Sequence, residues 1–331
     1  MSENAKLDVV GIGNAIVDIV ATADDNLLAE QGIIKGAMNL IDQERADALY
    51  EVMGPAIQRS GGSAGNTMAG IASLGGKAGY FGKVRDDQFG DVFRHDIRAE
   101  GVEFNTSAAT EGPSTARCLI FVTPDAQRSM NTYLGACVNL TVDDIDEEMI
   151  RSAKVTYMEG YLWDPEEAKK AFIHASKTAQ AAGRQVSLTL SDSFCVGRHR
   201  DSFMDLVKNY VDILFANEEE AMALFEVENF DEALQQVRAC CSVAAITRSE
   251  KGSVVCSGDE VHVIDAVPVE QVVDTTGAGD LYAAGFLYGY TNGYSLYDSG
   301  RIGSIAAAEV ISHFGARPEV SLAELVEEKL K

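Results

Sequence analysis

From Val155 to Thr247 the chain alternates strand-length apolar runs with helix-length amphipathic ones, and no other feature constrains its fold as much. Val155 to Met158 reads as a strand, Pro165 to Ala182 as a helix stopped by Gly183, and Val186 to Leu190 as a strand. Arg200 to Tyr210 is then a helix and Ile213 to Ala216 a strand. Two helices follow, Glu218 to Phe225 and Asp231 to Cys240, and then two strands, Ala244 to Thr247 and Ser253 to Cys256. Strands that return through helices pair in parallel, and a parallel sheet carries helices on both faces. A last helix runs from about Ser299 to His313 and ends at Gly315. The N-terminal part breaks this rhythm. Ala37 to Ile41 is a short strand, Asp42 to Ile57 a helix, and Thr115 to Val122 with Arg128 to Leu134 a β-hairpin around Pro124-Asp125. Residues 15–41 and 108–135 therefore suit a small β lid on one large α/β domain.

The stretch Asp274-Thr275-Thr276-Gly277-Ala278-Gly279-Asp280 lies between a strand-like run, Val267 to Val273, and a small-residue apolar helix. A helix start concentrates unpaired N–H donors and positive dipole potential, which suits an anion. Gly277 and Gly279 let the backbone approach that anion closely. An acid such as Asp280 would repel the anion, but it is well placed to take a proton from a hydroxyl that attacks it. This pattern points to phosphoryl transfer to an alcohol.

Upstream, Leu7 to Ile12 is a buried-strand pattern followed by Gly13-Asn14. Gly11-x-Gly13 resembles half of a dinucleotide fingerprint, but Ile16 stands where its third glycine belongs. Asp18 interrupts an apolar strand and needs hydroxyls or cations to meet it, unless it simply faces water at an edge. Arg59-Ser60-Gly61-Gly62-Ser63-Ala64-Gly65-Asn66 opens a helix whose glycines admit a close neighbour, and Asn66 offers both a donor and an acceptor. Read alone, Asn217 and Glu220 share a helix face at an acidic helix start, the ordinary complement of the dipole.

A formal charge of −24 with a pI near 4.5 excludes a general nucleic-acid binder and argues against adhesion to anionic membranes. The six cysteines show no C-x-x-C pairing, so they read as reduced and buried, with neither zinc nor disulfides. No signal pattern or spanning run is present, and the expected address is cytoplasmic.

Taken together, DTTGAGD with Ala284-Gly285-Phe286, GGSAGN with GGKAGYFGKVRDDQFGD, Asn217-Glu218-Glu219-Glu220 and GNAIVDI resemble the ribokinase-type (PfkB) carbohydrate kinases. Within that group the chain is most similar to the bacterial adenosine kinases. The resemblance implies a ribokinase-like three-layer α/β/α sandwich of nine to ten strands with a β-sheet lid. It implies an enzyme that moves a phosphoryl group from ATP, with Mg²⁺, to the 5′-hydroxyl of a ribonucleoside such as adenosine. A sugar kinase, or a kinase for another nucleoside, is the alternative. It gives Asp280 the role of base and the amides of Gly277, Ala278 and Gly279 the role of anion hole. Asn14, Asp18, Gly61, Gly62, Asn66 and Leu134 fall at the substrate. Asn217, Thr247, Arg248, Gly252, Thr275 and His313 fall at ATP, along with the loop glycines. Arg128 is the lid arginine that reaches phosphate. Asn217 and Glu220 hold Mg²⁺ through water, while Asp274 and Thr276 mark a monovalent-cation site suited to K⁺. From the residues alone, Leu134, Cys137, Tyr161, Trp163 and Phe194 are candidate walls for a purine, although each equally suits an ordinary core or lid position. The partners are small molecules, and a monomer and a homodimer are equally compatible.

Overall fold

The computed structural model describes residues 5–125 and 127–330. Its main sheet has nine strands. In spatial order they are Glu260–Ile264, Ser253–Ser257, Val243–Thr247, Ile213–Asn217, Gln185–Thr189, Ala153–Glu159, Leu7–Ile12, Ala78–Phe81 and Glu103–Phe104. The seven strands from Val243–Thr247 onward run in parallel, and an antiparallel hairpin, Ser253–Ser257 with Glu260–Ile264, closes one edge. The chain starts in the middle of the sheet and builds outward in both directions. Leu7–Ile12 and Ala153–Glu159 therefore flank a topological switch point, the place where open parallel sheets bind their ligands, beyond the carboxyl ends of the strands.

Helices cover both faces. Glu166–Ala181, Ser193–Tyr210, Glu218–Phe225 and Phe230–Cys240 bury one apolar layer, centred on Phe172, Phe203 and Leu214. Ser63–Ser73, Ala278–Thr291 and Leu296–Val310 bury the other, around Met68, Phe286 and Ile305. The small residues of these last helices are packing contacts. A Cβ on Gly285 would come within 2.7 Å of the Gly303 backbone, and one on Gly70 within 2.7 Å of Ala284.

A second sheet of five strands forms the lid, in the order Met38–Leu40, Arg128–Tyr133, Ala116–Val122, Ile16–Thr22 and Ala56–Gly61. Its outer face is covered by the helices Asp25–Glu30 and Gln43–Val52 through Leu28, Leu49, Leu119 and Phe121. The lid thus reaches past residue 41 to Gly61. The expected helix Asp42 to Ile57 ends at Val52, and Ala56–Gly61 pairs as an edge strand. Polar Gln58, Arg59 and Ser60 mask that strand in the sequence. Val267 to Val273, expected as a strand, is irregular. Pro268 removes a ladder donor, and the hairpin already closes the neighbouring edge of the sheet.

All six cysteines are free and five are buried. Among the described residues, no helix is long and apolar enough to cross a membrane.

Candidate active site

Gly277 takes φ +79° and begins the Ala278–Thr291 helix with no side-chain cap. Only glycine fits here, because a Cβ would come within 2.7 Å of the Ala316 side chain. The Ala278 amide turns back onto the Thr275 carbonyl at 3.2 Å, and Leu281 makes the first helical bond to Gly277 at 2.8 Å. The amides of Gly277, Gly279 and Asp280 have no acceptor among the described residues, so these donors and the helix dipole are unpaired at the turn. A Cβ at Gly279 would meet nothing within 4 Å, which places open space against this turn.

Asp280 stands at that turn. One carboxylate oxygen accepts from Ser63 Oγ at 2.6 Å and the other from Asn66 Nδ2 at 2.9 Å. Burial raises its pKa above the ordinary carboxylate value, against the pull of these two donors and of Arg317. Both donors lie in the first turn of the Ser63–Ser73 helix, so the glycine stretch at 61–62 and the loop at 274–280 meet at one carboxylate. The Asn66 Oδ1 atom is buried and without a partner. It is an acceptor still to be satisfied beside the carboxylate.

Asp18 reaches the same place from the lid. Its strand registers it with Cys118 and Arg59, and Cys118 in turn with Thr132. These residues line the inner face of the lid sheet, opposite the outer face closed by helices. Burial pushes the Asp18 pKa up to about 6, while Arg128 and Arg317 pull it down and Asp280 adds to the rise. A side chain at Gly61 would collide with the Asp18 carboxylate. Gly62, at φ +85°, lies against the Asn14 carbonyl.

Asn14 is 2% exposed and its side chain is already engaged. Its Nδ2 donates to Glu159 Oε1 at 2.7 Å, and its Oδ1 accepts from the Cys137 thiol at 3.0 Å. Glu159 also accepts from the Ala64 amide at 2.8 Å. This carboxylate ends the strand at the switch point, and burial raises its pKa to about 7 against the Ala64 and Asn14 bonds. Leu134 lies half-buried nearby, at the start of the turn that carries Cys137.

Arg128, on the returning lid strand, forms an ion pair with Asp274. Asp274 also accepts from the Thr276 amide at 3.0 Å, from Thr276 Oγ1 at 2.7 Å and from the Gly315 amide at 2.9 Å. The expectation of a potassium site at Asp274 and Thr276 does not fit this arrangement. The carboxylate is filled by three donors and neutralised by a guanidinium.

Asn217 and Glu220 form a reciprocal capping box on the Glu218–Phe225 helix. Asn217 Nδ2 and the Asn217 amide each bond one Glu220 oxygen, at 2.6 and 3.0 Å. Burial raises the Glu220 pKa to about 7. One lone pair remains on each oxygen, and an all-oxygen set with a single carboxylate fits a magnesium ion that keeps most of its waters. Among the described residues, no group of three or more His, Cys, Asp or Glu could hold a metal directly.

Thr247 ends a strand in register with Asn217. Arg248 is held by Glu218 at 3.0 Å and lies over the Phe230 ring at 3.9 Å, so its guanidinium braces the turn. Gly252, at φ +82°, approaches the Ile264 carbonyl too closely for any side chain. His313, just beyond the Leu296–Val310 helix, contacts Glu309 at 3.0 Å. Trp163 is not a wall of the site. It is 3% exposed, stacked on Phe203 and bonded through its indole N–H to Ser202, because the Ser193–Tyr210 helix packs over it. Cys137 is likewise buried, bonded to Asn14 and to the Leu134 carbonyl. Phe194 is 80% exposed and Tyr161 38%.

Three groups of the site escape sequence reasoning: Ser63, Glu159 and Arg317. Glu159 carries one signal, an acid at the carboxyl end of a parallel strand, where such folds place their sites. Arg317 carries none beyond its closeness to Gly315.

Comparison with known proteins supplies the family. The chain is 58% identical to adenosine kinase from Sinorhizobium meliloti, with a TM-score of 0.90 over 98% of this chain and 99% of that one. It is 54% identical to a probable sugar kinase from Rhizobium etli, with a TM-score of 0.91 over 98% of both. It is 26% identical to 5-dehydro-2-deoxygluconokinase of Clostridium perfringens over 283 residues, 82% of this chain and 83% of that protein. The pfkB family carbohydrate kinase pattern matches residues 48–322. With that match across most of its length, and with a buried carboxylate, a capless helix start and a lid strand brought together, the chain belongs to the pfkB family of carbohydrate kinases, phosphotransferases that act on hydroxyl groups.

Proposed function

We propose that this kinase uses ATP to phosphorylate the 5′-hydroxyl of a ribonucleoside, with adenosine as its substrate. The observation that carries the chemistry is Asp280, held by Ser63 and Asn66 at a helix start whose Gly279 and Asp280 amides are free. In this reading Asp280 accepts the proton of the hydroxyl as the phosphoryl group arrives, and the free amides stabilise the charge that develops. The Gly277 and Gly279 amides of the expected anion hole are unpaired, the Asp280 amide lies beside them, and the Ala278 amide turns onto the Thr275 carbonyl. Asp18 from the lid and the unpartnered Asn66 Oδ1 supply acceptors for the sugar hydroxyls, which hold the acceptor oxygen near Asp280. Magnesium, when bound through water by Asn217 and Glu220, neutralises phosphate charge.

The likeness to Sinorhizobium meliloti adenosine kinase supports the nucleoside. A sugar acceptor is the second reading, favoured by the sugar kinases among the relatives. ADP release measured across a panel of ribonucleosides, ribose, fructose and deoxygluconate derivatives decides between them. Adenosine should give the highest kcat/KM, and a free sugar exceeding it would overturn the nucleoside assignment.

A further inference from the structure

Arg317 lies past the last core helix, in a segment with no assigned strand or helix, and is 6% exposed. It makes no ion pair within 4 Å among the described residues. Its hydrogen bonds are all to neutral groups. Nε and Nη2 donate to the Ser60 carbonyl at 3.2 and 2.8 Å, Nη2 to Ser60 Oγ at 3.0 Å, and Nη1 to the Gly65 carbonyl at 3.0 Å. A buried cation without a direct counter-ion is costly unless surrounding carboxylates supply the field. Four do so. Asp96 accepts from the Ser60 amide and hydroxyl at 2.6 and 2.7 Å, and Glu100 ends the same helix. Asp18 faces Arg317 from the lid and Asp280 from the loop helix.

The points of attachment carry the argument. Ser60 is the penultimate residue of the lid strand Ala56–Gly61, and Gly65 lies in the helical turn that presents Ser63 and Asn66. One guanidinium therefore fixes both sides of the Gly61-Gly62 junction between lid and body. It also fixes the turn whose two donors orient Asp280.

We propose that Arg317 is a positioning residue, which ties the junction between lid and body to the Asp280-holding turn and sets its positive charge beside Asp280. This rests on the reading of Asp280 as the proton acceptor. The charged and titratable groups facing Asp280 are Asp18 from the lid, Tyr157 and Glu159 from the strand ending at the switch point, Tyr161 just beyond that strand, and Arg317 itself. Arg317 is the cation that acts on Asp280, with Ser63 and Asn66 as its neutral donors. Removing it raises the pH at which the carboxylate loses its proton.

The test is kcat/KM for adenosine with saturating ATP as a function of pH, in the full-length protein and in Arg317→Met and Arg317→Lys. In Arg317→Met the acid limb should move up by about one pH unit, with kcat down at least about tenfold. In Arg317→Lys the limb should stay in place, because the charge remains. Its kcat should still fall about tenfold, because an ammonium cannot span Ser60 and Gly65 as the guanidinium fork does. An acid limb unmoved in Arg317→Met would overturn the proposal and leave a structural role. If circular dichroism shows that Arg317→Met does not fold, Arg317→Lys decides alone. A displaced limb or an unchanged kcat in that variant refutes the proposal. Asp280→Asn in the same assay separates the two readings. Near-normal turnover there removes the base assignment, whereas a dead Asp280→Asn beside unshifted Arg317 variants removes only the role of Arg317.

Discussion

Gly277 and Gly279 are two residues apart in one loop, yet the structure assigns them different work, and alanine at each should separate architecture from ligand approach. At Gly277 the backbone is at φ +79°, and a Cβ would lie 2.7 Å from the Ala316 Cβ and 2.8 Å from its Cα. The left-handed conformation costs a non-glycine residue about 1–2 kcal/mol. Overlap with backbone that cannot turn away adds about 1–3 kcal/mol. Gly277→Ala should therefore lose about 2–5 kcal/mol. With an unfolding entropy of about 2.1 cal/mol/K per residue over 331 residues, that lowers Tm by about 3–7 °C. At Gly279 no atom lies within 4 Å of the added Cβ, and φ is not in the left-handed region. Gly279→Ala should keep or raise Tm, by up to about 1 kcal/mol of reduced unfolded-state freedom. Its methyl group, however, projects into the space against the free amides, so kcat/KM should fall at least about tenfold. Scanning calorimetry and ADP release on the same preparations give both numbers. Equal loss of Tm in the two variants, or full activity in Gly279→Ala, would refute the reasoning.

Asp280→Asn should lower kcat by about 10²–10⁴, with nucleoside binding by calorimetry kept, since the amide still accepts from Ser63; turnover within tenfold of the parent would sink the base assignment. Burial raises the pKa of Asp18 to about 6 and of Glu159 and Glu220 to about 7, so the folded chain holds protons that the unfolded chain has released. Their contribution to stability is therefore lost as pH rises from about 4 to 7, by up to about 3 kcal/mol for Glu159. Glu159→Gln should flatten the decline of Tm between pH 5 and 8, and an unchanged slope would count against a raised pKa. Asp274→Ala leaves Arg128 buried without its partner and frees the Gly315 and Thr276 donors, so it should cost about 3–5 kcal/mol in urea unfolding. A loss under 1 kcal/mol would show that the ion pair does not hold the lid to the loop.

What the sequence carried best was local and periodic. Alternating strands and helices fixed a parallel sheet, because each return through a helix leaves little choice of pairing. The glycines and acid of 274–280 announced a helix start with unpaired amides beside a carboxylate, because those features belong to the backbone and to a single side chain. Asp18 stood out as an acid in an apolar strand. The tertiary structure decided what depends on distant partners. Ala56–Gly61 is a strand because the lid edge beside Ile16–Thr22 is free to pair with it, not because its side chains ask for it. Trp163 is core because the Ser193–Tyr210 helix lies over it. Asn14 turns to Glu159 although 145 residues separate them, and Asp280 is held by residues 217 and 214 positions away. Arg128 settles on Asp274 and Arg317 on Ser60 for the same reason. A buried charge takes the partner that folding puts within reach, and no spacing along the chain records that distance.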